Sequence, residues 1–412
     1  MKNLKKMFVV ISMSTIPALL ADKKPIMALT IVPVADLVGT SLQTLGAKNV
    51  EAAYLQLPID DRAKGNACLR VHQVLFNEIV EIINERGAEV HVRISNAFFK
   101  NAADTKPQVT YWALKRNFVP LSKLQGQHLD LHKIPQPINF KTGILSARQQ
   151  IIALKFPFFD PITQQTYSAG TRFVYAPTSS TPDFYTAYAF DPRTFTFKKI
   201  SIPQSQCINN TELRTKEDKV KQFVQLIHSW AHLSNGFIIY VWGGCSCITI
   251  TTNPAFTEKS GVFYGHTVPY FELDDYPYQI KTGLDCAGMV LRAAQICGMP
   301  YFYKNTYTLA HNLKTIAPGQ KLKDGDLIWI RGHVMVVGSR KKNTLLEARS
   351  FAHGFGKVQE ISLAKSFKGI RTFAELEDAF FNKKVLLRLH ADGSALSTIT
   401  DFKLLDIYSL WH

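Results

Sequence analysis

The sequence predicts a multidomain chain in which small all-β units precede an α+β domain, and three observations carry that prediction. At 412 residues the chain exceeds the length at which one hydrophobic core keeps growing. From Leu29 to about Phe99, short β-type runs (ALTIVPVADLV, QVLFNEIVEII, AEVHVRI) alternate with polar or glycine-containing turns. After Cys207 the period changes: Val220, Phe223, Val224, Ile227 and Trp230 recur at helical spacing, and Gly236 falls just past the end. The expected division is a β domain over 27–135, a second small β domain over 136–206 and the α+β domain over 207–412.

In the first unit, QVLFNEIVEIINERGAEVHVRI has the rhythm of a hairpin, with Val90, Val92 and Ile94 alternating along its last strand. It resembles a bacterial SH3-like barrel, in which a QLLYGE-like strand is followed by a turn and another strand; Asn77 stands where that pattern has glycine. The stretches ARQQIIALKFPFFD, GTRFVYAP and FYTAYAFDPRTFTFKKISI, with prolines and Asp-Pro turns, suggest a second small barrel.

The N-terminus, MKNLKKMFVVISMSTIPALLADKKP, has three lysines ahead of an apolar run from Phe8 to Leu20, then Ala21 before the charged Asp22 and two more lysines. That is the layout of a secretory signal peptide over 1–21, so export is expected. No later run of 18 apolar residues is long enough to span a bilayer. Lys+Arg exceed Asp+Glu by 48 to 32, a formal charge of +16, which suits an acidic polymer or a polyanionic envelope. The excess is spread along the chain without a helix-turn-helix or zinc-finger pattern, so nucleic acid is not the expected partner. With 46% hydrophobic and 19% charged residues, disorder is not indicated.

Six cysteines (68, 207, 245, 247, 286, 297) in so long a chain do not make a disulfide framework. Cys245 and Cys247 look like half a metal site, but no second ligand pair at suitable spacing accompanies them. Cys286, in GLDCAGMVLRAAQICGMP, differs because it opens a helix-like run, where orphan N–H groups and the helix dipole favour a thiolate. Downstream, LKDGDLIWIRGHVMVVGSRKKNTLLEARS reads as strand, basic turn and strand. A turn centred near Arg340 would set His333 and Glu347 opposite each other on one face. A thiol, an imidazole and a carboxylate in that order of contact are nucleophile, base and orienter. His353 is the alternative third member.

Taken together, DCAGMV, GDLIWIRGHVMVVG, LLEA and the upstream YVWGG at 240–244 resemble, in family order, the motifs of the NlpC-type cell-wall cysteine peptidases. The resemblance covers roughly residues 215–365 and implies a papain-like catalytic domain behind the SH3-like barrel or barrels. It implies Cys286 as nucleophile, His333 as general base, Glu347 in the orienting position and Tyr240 beside the cysteine, holding substrate or oxyanion. Ala287 replaces the usual serine, Glu347 the commoner histidine, and Met335 a glycine, which predicts a narrower cleft. By resemblance to the SH3-bearing members, the substrate is a peptidoglycan stem peptide cut between D-γ-glutamyl and a diamino acid. Asp285, with Glu78 and Tyr111 reaching from the barrel, would read the free L-alanine amine. No cofactor or metal is implied.

Two other classes remain open: a non-catalytic wall-binding protein, and a papain-like amidase or acyltransferase with another substrate. Between Gly244 and Cys286 runs a connection longer than the motifs need. Its aromatics (Phe263, Tyr264, Tyr270, Phe271, Tyr276, Tyr278) would wall a groove or simply pack. His266 with Asp274 and Asp275 can be drawn as a metal site, which cysteine chemistry does not require.

Overall fold

The computed structural model describes residues 25–59, 69–141, 149–209, 215–250, 256–263, 266–273 and 280–411. The expected leader over 1–21, Cys68, Tyr264, Asp274, Asp275, Tyr276 and Tyr278 lie outside them, as do the side chains of Phe263, His266, Tyr270 and Phe271. Among the described residues no helix is long and apolar enough to cross a membrane.

Seven antiparallel strands form the first unit, in the order Arg70–Leu75, Val34–Val38, Thr110–Leu114, Glu89–Arg93, Ile79–Arg86, Ile26–Thr30, Phe118–Pro120. The two end strands do not pair with each other, so the ladder is an open sheet where a barrel was expected. Alternation places Val90, Val92 and Ile94 in its core with Val80, Ile82 and Tyr111. Asn77 adopts φ +67°, the left-handed turn conformation that asparagine tolerates better than most residues, and so takes over the role of the glycine.

The segment 151–209 forms three small sheets, among them Ile151–Leu154 flanked by Arg172–Val174 and Cys207–Asn209. Its core residues Ile152, Tyr167, Phe173 and Phe190 cluster with Leu29, Phe76, Val119 and Leu124 of the first unit. The two β units therefore share a core.

The third unit is built on a five-stranded antiparallel sheet: Lys357–Ser362, Thr344–Arg349, His333–Ser339, Leu327–Ile330, Phe402–Leu405. Its alternating side chains separate into two layers. Val334, Val336, Leu346 and Ala348 join the cluster containing the helices Lys216–Ala231 and Cys286–Ile296, whereas Met335, Val337 and Leu345 pack with the helix Phe373–Phe381. The long helix opens on a capping box formed by Thr215 and Asp218, and Val220, Phe223, Leu226, Ile227 and Trp230 are buried. Met335 is fully buried in the layer away from the cysteine helix, so it fills core and does not narrow a cleft as expected.

The stretch read as one strand before the basic turn is in fact a hairpin. Leu327–Ile330 and His333–Ser339 pair through a two-residue turn, Arg331-Gly332, with Gly332 at φ +83°. The next hairpin pairs Val336 with Leu346, and its register shifts between Val337 and Ser339. Continuing that register sets Arg349 opposite His333, so Glu347 lies diagonally from the histidine, on the same face.

Candidate active site

Cys286 is the first residue of the helix Cys286–Ile296, all of whose residues are buried. Asp285 caps it, its Oδ1 accepting from the Gly288 N–H at 2.5 Å. Gly288 is needed for clearance, because a Cβ there would meet the Gly244 carbonyl oxygen at 2.0 Å. The YVWGG loop thus lies directly on the first turn of the helix, tied by Asp285 N–H to the Gly244 carbonyl and Leu284 N–H to that of Ile239. Tyr240 sits in this loop, buried, its backbone N–H on the Gly356 carbonyl.

Burial pushes the Cys286 thiol up to about 12, and the Asp285 carboxylate adds to the shift; backbone N–H groups of Val334 and Ala287, and the Lys304 ammonium, oppose it. Val334 directly follows His333, so the strand that carries the imidazole meets the sulfur with its own backbone. The burial of the sulfur thus favours the neutral thiol.

His333 Nε2 lies 2.9 Å from Glu347 Oε2. Which nitrogen carries the proton follows from that partner: a carboxylate only accepts, so Nε2 donates and Nδ1 is left with its lone pair. Glu347 is fully buried and held by more than the histidine. Arg388 donates to the same oxygen at 2.5 Å and Gln359 to the other at 3.1 Å, while the Arg349 guanidinium stands 3.8 Å away. Burial resists ionisation of this carboxyl, but Arg388, His333 and Arg349 outweigh it and keep it well below the usual carboxylate range. For His333, burial is the largest influence and lowers its pKa; Glu347 raises it, and the two arginines work against Glu347. His353, the alternative orienter, bonds through Nδ1 to Ser350 Oγ at 3.1 Å.

The open acidic pocket expected of Asp285, Glu78 and Tyr111 is not what these residues form. The second oxygen of Asp285 accepts from Lys304 Nζ at 2.8 Å, in a pair whose lysine side chain is 3% exposed. Glu78 does reach the cysteine helix from the first unit, but there it accepts from Arg292 Nη1 at 2.9 Å, and its other oxygen from Leu75 N–H and Asn96 Nδ2. Tyr111 is fully buried in the first sheet and donates its hydroxyl to the Gln108 carbonyl at 3.1 Å. Each carboxylate has taken a cation of the chain itself. Cys245, read as half a metal site, is buried beside the Gly288 carbonyl, and Cys247 is buried too; burial raises both thiols. The five described cysteines are all free.

Lys304, Arg388, Arg292 and Gln359 escaped the sequence reading. Only Arg292 carried a signal, as a charge inside an otherwise apolar helical run.

The fold is similar to that of an NlpC/P60 family protein from Bacillus cereus ATCC 10987, with 12% identity over 82% of this chain and 94% of that one, at a TM-score of 0.50. An NlpC/P60 endopeptidase from Photobacterium damselae subsp. piscicida matches at 9% identity over 92% of this chain and 73% of that one, TM-score 0.43. The peptidoglycan hydrolase RipB from Mycobacterium tuberculosis matches at 22% identity over 37% of this chain and 64% of that one, TM-score 0.22. No family model matches the sequence. No curated protein matches it either. At such identity the Bacillus cereus likeness shows a shared fold.

Proposed function

We propose that the chain is an exported cysteine peptidase that hydrolyses an amide bond in peptidoglycan stem peptides, of the γ-D-glutamyl-diamino acid type. One observation carries this reading: a cysteine at the start of a buried helix touches the strand that opens with a histidine, and that histidine is hydrogen-bonded to a buried carboxylate. The NlpC-like motifs in order, together with the likeness of fold to an NlpC/P60 protein, support the substrate class.

In this mechanism the Nδ1 of His333 takes the thiol proton as Cys286 Sγ attacks the carbonyl carbon. The C–S bond forms, the carbonyl π pair moves to oxygen, and the Tyr240 hydroxyl, by the motif resemblance, holds that oxyanion. Collapse expels the amine, which receives the proton back from His333, and leaves a thioester. Water then gives a proton to His333, attacks the thioester carbonyl and releases the acid, while the thiolate is reprotonated. Glu347 holds the imidazole in the tautomer this cycle needs. The N-terminal sheet, with its SH3-like sequence pattern, serves as the wall-facing module.

Because Asp285 and Glu78 are already paired, the end of the stem peptide beyond the cleaved bond meets a charge-balanced wall, and a free substrate amine is not required. The test is digestion of defined muropeptides with wild type and Cys286→Ala, read by mass spectrometry. The expected products carry new γ-D-glutamyl carboxyl and diamino-acid amine ends, and only with wild type. Cleavage by Cys286→Ala, or no cleavage by wild type, overturns the reading.

A further inference from the structure

We propose a zinc site at the surface of the third unit, formed by His228, His232 and Glu360. The long helix ends at Ala231, and His232 is its C-cap, so His228 and His232 are one turn apart on the same side. Their rings lie 4.4 Å apart, and both Nε2 atoms point at one carboxylate oxygen, Glu360 Oε2, at 3.3 and 2.6 Å. All three ligand atoms fall within 4.8 Å of one another. In a tetrahedral site with metal–ligand bonds of about 2.0–2.1 Å, ligand atoms are separated by about 3.3 Å. The His228–Glu360 spacing already fits, the His232–Glu360 contact must open by about 0.7 Å, and the two imidazole nitrogens, at most 4.8 Å apart, must settle near 3.3 Å to receive an ion.

The carboxylate is fixed for the purpose. Glu360 lies on the strand Lys357–Ser362, and its other oxygen accepts from Thr344 Oγ1 of the neighbouring strand at 2.5 Å, as a metal-binding carboxylate is usually steadied by an outer partner. The side chains of the two histidines are 47% and 51% exposed, which leaves the fourth position to water and makes the ion exchangeable. Two imidazoles and one carboxylate suit Zn²⁺, whereas Ca²⁺ and Mg²⁺ want oxygen ligands throughout. As a bare ion pair the cluster would contribute little at such exposure.

The site is separate from the cysteine. Gln359, the preceding residue on the same strand, points to the other face, where it bonds Glu347. A bound ion would staple the end of the long helix to the sheet edge.

Zinc titration of the full chain is the test, made in the Cys286→Ala background so that the nucleophile cannot take the metal. One equivalent should bind, and Co²⁺ in its place should give d–d bands without a thiolate charge-transfer band. His228→Ala and His232→Ala should each weaken binding at least tenfold, and Glu360→Gln should also weaken it. Because the histidines are solvent-facing, these variants should keep the unliganded melting temperature. Zinc affinity unchanged in the His228→Ala/His232→Ala double variant, a thiolate band with Co²⁺, or no binding at micromolar zinc overturns the proposal.

Discussion

At the scale of single residues, the proposed chemistry falls to Cys286 and His333, and the groups around Glu347 would tune it. Cys286→Ala and His333→Ala are each expected to lower kcat/KM by about 10³-fold or more without unfolding the chain, since one removes the nucleophile and the other its base. His353→Ala should be close to silent in the same assay, because Ser350 holds that ring. The more discriminating residue is Arg388. Its guanidinium spends part of the Glu347 charge that would otherwise stabilise an imidazolium at His333. Removing it by Arg388→Met leaves Glu347 more charge for the histidine and raises the histidine pKa. The base must be neutral to accept the thiol proton, so the acid limb of the pH–kcat/KM profile should move to higher pH in the variant. A limb that stays in place or moves down would mean that Arg388 only braces the strand. The sequence singles out Cys286, His333 and Glu347 because each sits in a short motif of suitable residue types, and the hydrogen bond between His333 and Glu347 is the part of that reading the structure shows. Arg388 was not legible there, since it comes from 41 positions beyond the carboxylate it serves and nothing local marks it.

Among elements, the cysteine helix was the easiest to foresee. Its cap, its apolar run and the small residues at its start all point to the same boundary, and the structure starts it at Cys286 with Asp285 as the cap. The hairpin was harder. The apolar density of LIWIRGHVMVV hid the Arg331-Gly332 turn, and the following hairpin turns about a point beyond Arg340, so by its register Glu347 is diagonal to His333 instead of opposite. Small residues at the helix start have a packing meaning that motif reading did not supply. At Gly288 the neighbour is backbone, the Gly244 carbonyl, which cannot rotate away as a side chain does. Gly288→Ala should therefore push the YVWGG loop off the helix, displacing Tyr240 and lowering kcat/KM by about 10²-fold or more, as misplacements of about an ångström do. Gly126→Ala, in a helix with nothing near the added Cβ, is the control and should leave activity intact. Equal rates in the two variants would show that the loop does not position the site.

Over the whole molecule, the first sheet is joined to the third unit by buried polar contacts, a relation that no reading of separate segments reveals. Arg70 pairs with Asp36 and also reaches the Trp242 carbonyl, and Gln73 accepts from Cys245 N–H and Ser246 Oγ. Glu78 closes the series on Arg292, 214 residues away in sequence. These contacts, with Lys304 on Asp285, settle how charge is distributed around the cysteine in a chain of formal charge +16. A carboxylate left open beside the nucleophile would pull in a substrate ammonium, and losing such a pairing costs on the order of 2–5 kcal/mol, or roughly 30-fold or more in kcat/KM. Here the lysine is the ammonium, and a second cation in the same place would meet its like charge. L-Ala-γ-D-Glu-diaminopimelate with a free and with an acetylated N-terminus should therefore be cleaved with kcat/KM values within about threefold of each other. Lys304→Met should separate them, favouring the free amine, because it leaves Asp285 with an unpaired carboxylate oxygen; if the variant is too unstable to assay, Lys304→Gln retains a hydrogen-bond donor without the charge. A wild-type preference of 30-fold or more for the free amine would mean that Lys304 gives way when substrate binds, and that Asp285 reads the amine after all.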